Sequence, residues 1–170
     1  MAELNLGRIG GLMGGPSSER EIYFKSGHAV YEALKGLGLD VVAVDIKTDS
    51  RQDNIDLLRS SDLSCAFLAL HGYFGEDGRI QEILDELKLP YTSSGASASR
   101  LAMDKVASRS IFRRVGLVVP ECEVLEKGSL SKGWRYANSL GLPVVVKPCA
   151  NGSSIGLSIV DSPEAVNEAV

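Results

Sequence analysis

The sequence predicts an α/β fold: a parallel-sheet domain over residues 1–103, then a partial second α/β unit over residues 104–170. Three observations carry this. Short apolar runs at Arg8–Met13, Leu39–Ile46 and Ser64–Leu70 are continuous rather than alternating, as expected of strands buried on both faces. Each run is followed by a segment with helical apolar spacing or a helix-start signal. Strand and helix therefore alternate, which favours crossover connections and a parallel sheet.

The first run leads through Gly14-Gly15-Pro16-Ser17-Ser18 into a helix that Ser18 and Glu21 open as a capping box. Ile22, Ala29, Val30, Ala33, Leu34 and Leu37 are its expected apolar face. A weak helix is expected near Asp53–Arg59. Asp77 is the expected cap of a helix that buries Ile80, Ile83, Leu84 and Leu87, after which Pro90-Tyr91-Thr92 resumes an extended path. A helix from Asp104 to Val115 stops at Gly116 and marks the domain boundary. Beyond it the reading is a strand at Cys122–Leu125, a helix at Trp134–Leu140, strands at Val144–Lys147 and Ile155–Val160, and a helix opening at Ser162-Pro163-Glu164. That last helix has no visible partner for its apolar face and is expected to fray.

Composition narrows the function. The 170 residues are 44% hydrophobic and 24% charged, ordinary for a globular protein, and the net charge of -4 gives no general attraction to nucleic acid or anionic lipid. Neither partner is expected. Cys65, Cys122 and Cys149 are widely spaced with no metal-ligand pattern, which suits a reducing cytoplasm. The amino-terminal stretch has no basic region ahead of an apolar segment, and no run approaches a membrane span.

Three places can carry chemistry. The Gly14–Glu19 turn precedes a helix N-terminus, where free N–H groups and the helix dipole favour anions; a turn with a cap explains it equally. It is neither a dinucleotide fingerprint nor a Walker loop. Glu19 is either dipole compensation or a partner for a substrate ammonium. His71 stands at the carboxyl end of a strand beside the bend Gly72 to Gly78, the edge where open α/β sheets bind ligands. Lys147 closes an apolar strand ahead of Asn151-Gly152-Ser153-Ser154-Ile155-Gly156, and with Lys105 suggests two cations converging on a nucleotide. Read separately, a structural histidine and solvent-facing lysines remain open.

Taken in order, five blocks resemble the D-alanine–D-alanine ligase family. They are Gly14-Gly15-Pro16-Ser17-Ser18-Glu19-Arg20-Glu21; Leu70-His71-Gly72 with Gly75-Glu76-Asp77-Gly78 and Ile80-Gln81; Pro90-Tyr91-Thr92 to Ser94-Gly95; Ala102-Met103-Asp104-Lys105; and Val145-Val146-Lys147-Pro148 through Gly152-Ser153-Ser154-Ile155-Gly156. The resemblance implies a Rossmann-like substrate-binding domain, then the first part of an ATP-grasp domain, as the N-terminal portion of a cytoplasmic, homodimeric enzyme. That enzyme would join two D-alanines at the cost of ATP for peptidoglycan precursors. It further implies that Gly14, Gly15 and His71 bind substrate and that Glu19 and Ser153 belong to the catalytic network. Lys105, Lys147 and Ser154 would hold ATP phosphates. Mg²⁺ or Mn²⁺ would be held by residues further along the family's chains.

Departures from the family pattern are Ser93, where glycine is usual, Arg100, Tyr23-Phe24 and Asn151. After Lys147 the acidic residues are Asp161, Glu164 and Glu168, outside the family's metal pattern, so no metal ligand is assigned here and the chain by itself is expected to be inactive. A non-catalytic ligand-binding module and a D-alanine–D-lactate or D-alanine–D-serine ligase are the alternative readings.

Overall fold

A computed structural model describes residues 6–16, 20–126, 133–152, 154–162 and 164–169. Its contacts divide into two units, Met1–Leu101 and Ala102–Val170.

In the first unit, β1 (Ile9–Gly14), β2 (Val41–Ile46) and β3 (Cys65–Leu68) form a parallel sheet of order β2-β1-β3. Burial on both faces holds for β1 alone, because it is the central strand; every residue of it is buried, whereas β2 and β3 are partly exposed. Pro90-Tyr91-Thr92 extends the sheet by a single bridge, with Ala66 N–H donating to Pro90 O at 2.8 Å and Thr92 N–H to Ala66 O at 3.1 Å.

Helix α1 (Arg20–Gly36) crosses from β1 to β2. Its inner face is Tyr23 and Gly27, with Val30 and Leu34 half-buried, and not the full expected set: Ile22, Ala29, Ala33 and Leu37 are exposed. Close approach decides the rotation. A Cβ on Gly27 would overlap Met13 of β1, so only glycine lets the helix lie this near the strand. The expected Ser18–Glu21 capping box involves a residue outside those described.

Helix α2 (Arg51–Ser60) begins at Ser50, whose Oγ accepts from Asp53 N–H, and the buried Asn54 ties its start to Thr48 O and Ser50 O, both at 2.9 Å. After β3 comes the short helical turn α3 (Gly72–Gly75), then α4 (Arg79–Glu86). The cap position of α4 is Gly78 at φ +92, one residue later than expected; Asp77 still serves the start, its Oδ1 accepting from Arg79 N–H. Ile80, Ile83 and Leu84 are buried with Leu12, Val44, Ile46, Ile55, Leu58 and Phe74 in the core, and Leu87 packs against it. The structure adds α5 (Ala96–Met103), which apolar periodicity does not reveal because only Ser99 of it is buried.

The second unit starts with α6 (Lys105–Arg114), capped by Asp104, whose Oδ1 accepts from Val106 and Ala107 N–H at 2.9 and 3.0 Å. No strand forms at Cys122–Leu125. The segment is largely exposed and no ladder engages it among the described residues, so its β-branched content has nothing to pair with. Helix α7 (Gly133–Leu140) precedes the antiparallel pair β4 (Val144–Val146) and β5 (Ser158–Val160). The last helix, α8 (Val166–Ala169), starts later than Ser162 and does have a partner: Val166 is 2% exposed and packs with Ala137 and Val160. The expectation of an unsupported apolar face therefore fails.

Candidate substrate and phosphate sites

The first cluster lies at the carboxyl end of the parallel sheet. Ala69 N–H donates to Leu12 O at 2.9 Å, continuing the β1–β3 pairing and bringing the residues after both strands to one edge. Gly14 and Gly15 turn there with φ +84 and +103, a region that favours glycine. A Cβ on Gly15 would touch both Leu70 and Tyr23. The Tyr23 ring sits 5.2 Å from the His71 ring, tilted by 51°, and Ser26 Oγ lies 3.0 Å from His71 Nε2. The hydroxyl both donates and accepts, so it serves either tautomer. His71 itself is 45% exposed, leaving the imidazole open to a ligand.

The bend after His71 is heavily constrained. Phe74 is 2% exposed and has φ +71, an unusual conformation for a bulky residue. Four contacts hold it: Phe74 N–H to Asp77 Oδ2 at 3.1 Å, Gly72 N–H to Glu76 Oε2 at 2.7 Å, Glu76 N–H to Gly72 O at 2.9 Å, and buried Gln81 Nε2 to Gly75 O at 2.8 Å. Strain maintained by surrounding contacts is a common property of ligand-bearing bends. On the other side, Arg20 donates to Gly15 O at 3.1 Å, to Ile46 O at 2.7 Å and to Asp45 Oδ1 at 2.5 Å, stitching the glycine turn to the end of β2. Glu19, assigned to this cluster by resemblance, lies outside the described residues.

The second cluster belongs to the second unit. Lys147 follows β4 and is exposed; among the described residues nothing engages its ammonium. Lys105 is different. Its Nζ donates to Asn151 O at 2.7 Å and approaches Cys149 O at 3.5 Å, while its backbone N–H donates to Cys149 O at 3.0 Å. The loop ends at Gly156, φ +73, where a Cβ would lie 2.9 Å from Pro148 Cγ. Ser154 lies in this loop and is exposed, and Ser153 is outside the described residues.

The lysines and loop amides suit an anionic phosphate. Among the described residues no three His, Cys, Asp or Glu side chains gather into a donor set for a divalent cation. No described helix is long and apolar enough to cross a membrane. Sequence reasoning overlooked Ser26 and treated Arg20 and Tyr23 only as motif or packing residues. The one available signal was the i, i+3 spacing that puts Tyr23 and Ser26 on one helix face.

The sheet and its strand-end cluster place the chain among open parallel α/β proteins whose ligand positions lie beyond the carboxyl ends of the strands. The comparisons then narrow the class. The family described as "D-ala D-ala ligase C-terminus" matches residues 111–170. A D-alanine–D-alanine ligase of Desulforudis audaxviator is 47% identical over 157 residues, covering 92% of this chain and 50% of the relative. That of Trichlorobacter lovleyi is 43% identical, covering 99% and 52%. Among solved structures, the Bacillus anthracis D-alanine–D-alanine ligase complexed with ATP superposes with TM-score 0.75 at 32% identity, over 95% of this chain and 52% of that one. The VanG D-Ala:D-Ser ligase of Enterococcus faecalis, at 22% identity and TM-score 0.77, shows the fold alone. The chain belongs to the D-alanine–D-alanine ligase family, and it spans about half the length of the curated relatives it matches.

Proposed function

We propose that this chain contributes the first D-alanine site and part of the ATP-phosphate site of a D-alanine–D-alanine ligase. The observation that carries the reading is the convergence of the Gly14–Gly15 turn, Tyr23, Ser26 and an accessible His71 at one sheet edge. Residues 1–103 are the substrate-binding domain and residues 104–170 the first part of the ATP-grasp domain. In the reaction, a D-alanine carboxylate oxygen takes the γ-phosphoryl group of ATP, releasing ADP. The amine of a second D-alanine then attacks the acyl carbon, phosphate departs with the C–O bonding pair, and the new amide nitrogen loses a proton to solvent or base. Phosphate is a good leaving group where carboxylate oxygen is not.

The chain's own share is positioning and charge neutralisation. By the family resemblance, His71 is assigned to the carboxylate and the acyl phosphate, Glu19 to the ammonium, and Ser153 to the catalytic network. Lys147, Lys105 and Ser154 contact phosphate. Mg²⁺ or Mn²⁺ lowers charge repulsion on the transferring group when bound. A cytoplasmic homodimer serving peptidoglycan precursor synthesis accompanies the reading, supported by the family resemblance.

Adding D-alanine to the labelled chain should shift the amide and ring resonances of Gly15, Gly72 and His71, and L-alanine should not; equal responses would remove the substrate assignment. In a family-length protein carrying this sequence, Lys147→Ala should lower kcat/KM for ATP about tenfold or more, the value of one charge-assisted contact. Unchanged kinetics would return Lys147 to a solvent-facing role.

A further inference from the structure

The two lysines of the phosphate cluster have different environments. Lys147 extends from the end of β4 with no partner among the described residues. Lys105 is half-buried and its ammonium is already committed to Asn151 O and Cys149 O. We infer that Lys105 is also a positioning residue: besides the phosphate contact proposed for it, it fastens the loop between β4 and β5 through two backbone carbonyls.

Three features support this. The lysine backbone joins in, its N–H donating to Cys149 O at 3.0 Å, so main chain and side chain grip one three-residue stretch. The helix that carries Lys105 is itself firmly started: Asp104 accepts from Val106 and Ala107 N–H, and Ser108 Oγ donates to Asp104 O at 2.8 Å. The loop's far end closes against Pro148 at Gly156. The loop is thus held at Asn151 and at Gly156, with the lysine at the first of these points. A carbonyl pair is an acceptor site for a cation, and an ammonium has three donors, so two loop bonds leave one N–H for a ligand oxygen. Losing the ammonium would leave Asn151 O without this partner and loosen the loop, while Cys149 O keeps the backbone N–H of Lys105.

This deepens the proposed phosphate site and rests on it only for its consequence. The test is amide hydrogen exchange across residues 149–157 in the nucleotide-free chain. Lys105→Met should raise exchange of the loop amides about tenfold or more, the effect of losing a charge-assisted bond. Exchange in β4 and β5 should stay within about threefold on the same scale. Lys105→Arg, which keeps charge and donors, should restore most of the protection, and Lys147→Met should leave it unchanged. Unaltered loop exchange in a folded Lys105→Met chain overturns the inference. Should that variant fail to fold, Lys105→Arg decides: a folded chain with a fully deprotected loop overturns it, and retained protection supports it. ATP titration of the unsubstituted chain is read separately, so a failure to bind ATP removes the phosphate reading without touching the fastener.

Discussion

Ser93 occupies a position where the family usually has glycine, and the structure gives it φ +80. An L-residue in the left-handed region carries about 1–2 kcal/mol of strain from its Cβ against the neighbouring carbonyl. Glycine removes that strain but regains about 0.5–1 kcal/mol of freedom in the unfolded chain. The difference predicts that Ser93→Gly stabilises the first unit by about 0.5–1 kcal/mol. With a urea slope of about 1–1.5 kcal/mol per molar for a unit of this size, the midpoint should rise by about 0.5 M. Gly38 supplies the mirror experiment. It has φ +77 with nothing within 4 Å of an added Cβ, so Gly38→Ser should lower the midpoint by a similar amount. Urea unfolding followed by far-ultraviolet circular dichroism reads both. A fall in the midpoint for Ser93→Gly, with Gly38→Ser behaving as expected, would refute the reasoning, because the serine side chain would then have to contribute more than its backbone costs.

Arg20→Met removes the ion pair with Asp45 and both carbonyl bonds; since the pair's side chains are 31% and 34% exposed, solvent screening lowers the expected loss to about 2 kcal/mol. A change below about 0.5 kcal/mol in urea unfolding would show that the glycine turn holds without its clasp. Tyr91 has its pKa raised above 10.0, first by burial and then by its hydrogen bond to Asp85. A raised value means that the unfolded tyrosine ionises first, so the contribution is present below about pH 10 and is lost as pH rises through the folded value. Tyr91→Phe should therefore flatten the decline of unfolding free energy above that pH, and parallel declines in the two proteins would contradict it.

The alternation of strand and helix was readable because parallel strands and crossover helices carry different apolar periods. β1, β2, β3, α2, α4, α6 and α7 all fall on the segments so identified. The failures share a cause. Helix α1 is aimed inward by the absence of a side chain at Gly27, which no count of apolar residues detects. Helix α5 buries only a serine, so it has no apolar stripe to find. Cys122–Leu125 has strand composition without a strand neighbour, and pairing is a property of two segments.

The candidate sites were legible as residue types and as an order of motifs, but not as a set of bonds. His71 could be placed at a strand end from the sequence. That Ser26 and Tyr23 hold its ring depends on where one turn of α1 passes, which follows from the Gly27 contact. Lys105 and Lys147 look alike as charges, yet one ammonium already donates to two loop carbonyls and the other is exposed. The difference matters because a cation already bonded to the chain transmits force to the backbone, whereas an exposed one is available to a ligand. Sequence supplies the charges; the fold determines how many hydrogen-bond donors each charge has left for a ligand.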